Sequence, residues 1–147
     1  MTATIVALSP ALLAEVRAAG TAERHVAGGG EPVRCCLRDA VAGERLLLFR
    51  YEPALPPSPY REAGAVFAHA EPCDGRADGP DYPADWYGRP QVLRAYDEHG
   101  RIHPASRMHD GADPPAAIAA VLSAPGVVLV HSRNVVYGCY MFAVHPR

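Results

Sequence analysis

Two apolar runs close this chain, Val127–Val130 and a second ending at Val144–His145, with a tight turn and Gly138-Cys139 between them. Short apolar runs bounded by turn residues read as strands. The end of the chain must therefore fold as two strands that close the domain. The first run leads straight into His131-Ser132-Arg133-Asn134, so a sheet end receives an imidazole, a guanidinium, an amide and, from the next strand, the Cys139 thiol.

The rest of the chain is punctuated in the same way. Thr4–Leu8 predicts a short strand, and Ser9-Pro10 opens a helix, with Ser9 as N-cap and Pro10 at the first helical position. Leu8 and Leu13 fit a hydrophobic staple, and Gly20 caps the end after Ala19. Strands are expected at Arg24–Ala27, Leu46–Glu52, Gly64–Ala70, Gln91–Asp97 and Arg101–Ala105. Pro53–Pro59 carries four prolines and must be a loop. Glu71–Pro90 is a long loop rich in Gly, Pro and Asp, yet it holds Tyr82, Trp86 and Tyr87, which favours a packed lid over a solvated linker. Asp113-Pro114-Pro115 starts a second helix running to about Ser123. Two helices among seven or so strands give an α+β fold with a mostly antiparallel sheet, and 147 residues give one domain, 1–147.

Composition excludes several functions. All fourteen cations are arginine. A chain without lysine forms no Schiff base and has no P-loop lysine. A net charge of −2 with no basic stripe argues against a nucleic-acid partner. Met1–Gly20 lacks the pattern of a signal peptide, and no apolar run approaches the roughly 20 residues that span a membrane. A cytoplasmic protein with four reduced cysteines, Cys35, Cys36, Cys73 and Cys139, is the expectation, and a homodimer is left open. Adjacent Cys35 and Cys36 are poor partners for an ordinary disulfide.

A set of short strings carries a resemblance: Pro32-Val33-Arg34-Cys35-Cys36-Leu37-Arg38, Gly43–Leu48, Pro59-Tyr60-Arg61, Val66–Ala70 with Cys73, Leu93–Asp97, and Val130–Asn134 with Gly138-Cys139. From about Glu31 onward the chain resembles the bacterial domain of unknown function 1203 family. The resemblance implies one compact bacterial domain and no particular reaction. In the family pattern a cysteine commonly stands at the position of Val33, so any role of that cysteine is not carried over to this chain.

The candidate chemistry lies in a few residues. His131 and Arg133 share a strand face with Leu129. His131 suits proton transfer near neutral pH, Arg133 suits a carboxylate or phosphate, and Asn134 can orient a carbonyl. The bland alternative is a half-buried His131 beside a solvated turn. His69 ends another strand, with Cys73 four residues on. If those strands are neighbours, His69, Cys73, His131 and Cys139 match zinc in ligand type. The chain has no Cys-x-x-Cys knuckle and no His-Glu-x-x-His helix, so the expectation is no bound metal and no cofactor. A Cys139–His nucleophile is a sharper alternative, although thiols are more often small buried hydrophobes. Arg94 is expected either to pair with a carboxylate such as Glu44 or Asp97 or to await an anion. The favoured reading is a cofactor-independent enzyme doing acid/base chemistry, as a lyase, isomerase or cyclase, on a small anionic substrate. His131, His69 and Cys139 would act on the substrate, and Arg94, Arg133, Asn134 and Trp86 would bind it. The alternative is a non-catalytic small-ligand-binding or interaction domain, favoured by a closed-off His131.

Overall fold

The computed structural model describes residues 3–147; Met1 and Thr2, the start of the segment tested for a signal peptide, lie outside them. The fold is mixed α+β, with two α-helices and ten strands in two mostly antiparallel sheets among the described residues. The first sheet contains β1 (Ala3–Val6), β7 (Gln91–Tyr96), β8 (Arg107–His109), β9 (Leu129–Asn134) and β10 (Tyr140–Pro146), in the order β1-β10-β9-β7-β8. The second contains β2 (Glu23–Val26), β3 (Pro32–Val33), β4 (Arg38–Asp39), β5 (Arg45–Tyr51) and β6 (Gly64–His69), in the order β2-β5-β6-β3-β4. A parallel bridge, Val33 to Phe67, joins β3 to β6. No helix among the described residues is long and apolar enough to cross a membrane.

Both helices begin where the caps place them. In α1 (Pro10–Ala19) the Ser9 side chain accepts from Leu12 N, and Gly20 ends the helix in the left-handed region at φ 67°. In α2 (Pro114–Leu122) Asp113 accepts from Ala116 N, and Ser123 forms the C-terminal cap. Leu8 and Leu13 share one buried cluster, as the staple requires.

Strand alternation sorts side chains between two packed layers. Tyr96, Leu129, Tyr140 and Ala143 turn one face of the first sheet onto Val33, Leu46, Val66 and Ala68 of the second. The opposite face, with Leu93, Val130, Phe142 and Val144, packs under Ile118, Val121 and Leu122 of α2.

Two expectations are corrected. The strand expected at Arg101–Ala105 is a turn that meets β7 through an isolated bridge at Ile102 and a hydrogen bond from His103 N to Ala95 O, and the paired strand is β8. Pro104 has no N–H to donate to a ladder, while the Ser106 hydroxyl accepts from Ala95 N and donates to His103 O, which closes the turn. The loop Glu71–Pro90 is ordered by its aromatics and lines the cleft beside His69 through Glu71, Pro72 and Cys73, but Trp86 is no part of that wall. Trp86 is 0% exposed and stacks on Phe142, with ring centroids 6.0 Å apart. Its indole Nε1 donates to Asp39 Oδ1, and Arg89 grips both oxygens of that carboxylate. With its single polar atom satisfied, the indole can be buried whole.

Trp86→Ala should therefore cost about 3–5 kcal/mol of folding stability through loss of a fully buried ring. Urea unfolding measures it, and a change under 1 kcal/mol would contradict a core role.

Candidate functional site

The end of β9 delivers its polar side chains to different places. His131 is 3% exposed, with its ring wedged between Tyr96 at 4.9 Å and Tyr140 at 5.3 Å, edge to face. Burial lowers its pKa to about 4, and the positive charges of Arg133 and Arg94 push the same way. The ring is therefore neutral at pH 7, and His131 lines none of the open cavities described below. Asn134 works through its backbone, its N–H donating to Cys139 O at 2.9 Å to close the turn. Beyond it the tip Val136-Tyr137 stands in solvent.

Arg133 and Arg94 meet one carboxylate. Glu62 Oε1 accepts from Arg133 Nη2 at 2.6 Å and from Arg94 Nη1 at 3.0 Å. The register explains the meeting: Arg94 lies opposite His131 and Val92 opposite Arg133, so both guanidinium groups leave one face of adjacent strands. Neither carboxylate expected for Arg94 is its partner. Glu44 is held by Arg38, and Asp97 accepts from the backbone of His99 and Arg101. A cavity of about 240 Å³ opens beside the pair, lined by Tyr51, Glu62, Arg133, Tyr137, Cys139 and Tyr140 among others.

A third arginine lies behind this cavity. Arg34 is 2% exposed and donates through Nε to Tyr140 O at 2.8 Å and through Nη1 to Pro32 O. It has no carboxylate partner among the described residues. Burial lowers its pKa to about 10, so it keeps its charge at pH 7, and the neighbouring Cys139 and Tyr140 favour that charge. Nothing in the spacing of the sequence marks Arg34 or Glu62; only the fold brings Glu62 to the two candidate arginines and Arg34 to Tyr140.

His69 and Cys73 do converge, but with other partners than His131 and Cys139. Cys35, Cys36, His69 and Cys73 place one ligand-type atom each within 4.8 Å of one another. His69 Nδ1 lies 3.3 Å from Cys35 Sγ and 3.8 Å from Cys36 Sγ, while Cys73 Sγ lies 3.5 Å from Cys35 Sγ. On its other side the ring meets Glu44 Oε2 through Nε2 at 3.0 Å. Hydrogen bonding from Arg38, first, holds the Glu44 carboxyl down at about 2. The contact between the adjacent thiols raises the Cys35 pKa and lowers that of Cys36, so Cys36 is the readier of the two to ionise. An open cleft of about 310 Å³ reaches the cluster, lined by Arg38, Glu44, His69 and Cys73 among others. The fold brings these four ligand-type side chains together from separate segments, without the paired motif on which the metal expectation rests. The signal was the Cys35-Cys36 pair, which sequence reasoning weighed only as a disulfide.

Residues 30–146 match the family described as protein of unknown function (DUF1203). The chain belongs to that family. No curated protein and no solved structure matches it. The DUF1203 description assigns no activity, so function rests on the geometry of this chain.

The buried imidazole has a consequence for stability. Unfolded, His131 protonates near 6.5; folded, only near 4. Between those values the unfolded chain binds the extra proton, so stability falls as pH drops from 6.5 to 4 and then levels, by on the order of 3 kcal/mol. His109, also lowered by burial, contributes with the same sign below its ordinary value. Urea unfolding of His131→Gln should show a visibly shallower slope from pH 6.5 to 4.5, and an unchanged slope would contradict a buried neutral ring.

Proposed function

We propose that this DUF1203 protein is a binding domain for a small carboxylate- or phosphate-bearing molecule, held in the cavity beside Glu62, Arg133 and Cys139. One observation carries the reading: two guanidinium groups, of Arg94 and Arg133, share the single carboxylate of Glu62, while a third, the buried Arg34, holds the backbone of Tyr140 in the cavity wall with no carboxylate of its own among the described residues. Buried charge needs a partner, and the local excess is positive. Glu62 itself is a half-exposed side chain, 52% accessible, so an incoming anion can take its place on the two arginines.

Binding without turnover is favoured over acid/base catalysis. His131, the expected acid/base, packs behind Tyr140 and has no open side. Of the groups expected to react, Cys139 alone lines this cavity. Its free thiol and the three others suit a reducing compartment.

Isothermal titration with succinate and with inorganic phosphate tests the reading. One or both should bind the parent. Arg133→Ala should weaken that binding by about 10–100-fold, the equivalent of one charge-assisted hydrogen bond of roughly 1.5–3 kcal/mol. Glu62→Gln should tighten it several-fold by removing the internal competitor. Equal affinity in all three proteins, or no binding by any, would sink the proposal.

A further inference from the structure

The four-residue cluster at the end of β6 is distinct from the anion cavity and uses none of its groups. We propose that Cys35, Cys36, His69 through Nδ1, and Cys73 form a zinc site. In a tetrahedral site with Zn–S near 2.3 Å and Zn–N near 2.0 Å, neighbouring ligand atoms stand roughly 3.5–3.8 Å apart. The pairs here stand at 3.3 Å and 3.8 Å for nitrogen to sulfur, and at 3.5 Å and 4.0 Å for sulfur to sulfur. Four of the six edges are therefore close to those of a zinc tetrahedron, and the other two pairs lie within 4.8 Å.

The surroundings are those of a metal ligand set and not of a simple thiol pack. Glu44 Oε2 and Arg38 Nη2 both lie 3.0 Å from His69 Nε2. Arginine can only donate and a carboxylate can only accept. Arg38 also donates through both Nη groups to Glu44, at 3.0 Å and 2.9 Å. With a metal on Nδ1, the ring proton sits on Nε2 and donates to Glu44, which is in place to accept it. A carboxylate behind the far nitrogen is how metal-binding imidazoles are oriented and made more basic. The backbone N–H of His69 also points at Cys35 Sγ, 3.4 Å away, a contact that stabilises a thiolate.

Local backbone brings two adjacent cysteines to one centre. Residues 34–37 form a tight turn between β3 and β4, and Leu37 takes the left-handed conformation at φ 54°. A non-glycine residue there is uncommon and costs energy. The turn swings Cys35 and Cys36 together towards His69. Cys73, exposed at the mouth of the open cleft, completes the set and gives the ion its access route. Three thiolates and one Zn²⁺ leave a net charge of −1. Arg38 stands at the cluster, and Arg17 donates to His69 O at 3.2 Å and 3.1 Å, so cations answer that charge. On binding, each thiol gives up its proton to solvent as its sulfur–zinc bond forms.

The test uses the full chain, reduced and stripped of metal with a chelator, then titrated with Co²⁺ and with Zn²⁺. Cobalt should bind one per chain and give the intense visible bands of tetrahedral thiolate coordination, and zinc should bleach them. Bound zinc should protect Cys35, Cys36 and Cys73 from iodoacetamide and leave Cys139 reactive, read by mass spectrometry of peptides. Glu44→Gln should weaken metal binding by about 10–100-fold, and Cys73→Ser, at an exposed position that does not threaten the fold, by more. Octahedral cobalt bands, no bound metal, or zinc that leaves Cys35, Cys36 and Cys73 as reactive as before would overturn the proposal.

Discussion

The packing of the two sheets on one shared face governs the placement of every polar group discussed above. Tyr96, Leu129, Tyr140 and Ala143 meet Val33, Leu46, Val66 and Ala68, and burying this apolar surface is what holds the two sheets together. Strand alternation then decides what else shares the interface. On β9 the same face that presents Leu129 must also present His131 and Arg133, and on β7 the face of Tyr96 must present Arg94. The interface accepts these groups in two ways. His131 gives up its charge and packs on aromatic edges. The arginines keep theirs and reach the margin, where Glu62 meets them.

The same logic separates the two sites. At the margin of β7 and β9, positive charge exceeds negative, and one half-exposed carboxylate spans two guanidinium groups. At the end of β6, Glu44 is fixed by Arg38 and by Val41 N and serves to orient an imidazole. Both sites are built by a carboxylate that bridges two partners. Glu62 is exposed and exchangeable, whereas Glu44 is locked. An exchangeable bridge suits a ligand that comes and goes, and a locked one suits an ion that stays.

Much of the fold was legible in the sequence. Ser9, Pro10 and Gly20 bounded α1, and Asp113 and Pro114 started α2, because caps act through the nearest few residues. Apolar runs located β5, β6, β7 and β9 for the same local reason. The failures lie where distant contacts decide. Trp86 reads as a lid until Phe142 and Asp39 are seen to receive it. Arg94, Arg133 and Cys139 could be singled out by residue type and strand parity, but Glu62 and Arg34 could not, since no spacing links them. Cys35 and Cys36 lie 34 and 33 residues from His69, and only the alignment of β3 beside β6 makes them neighbours.

The claim that the β7–β9 margin is an anion site is tested most directly by the side-chain Nε–H resonances of arginine in ¹⁵N-labelled protein titrated with succinate or phosphate. The account predicts saturable shifts for Arg94 and Arg133, at one ligand per chain, while the exposed Arg101 and Arg107 stay put. Shifts of equal size at all four, growing without saturation, would contradict it.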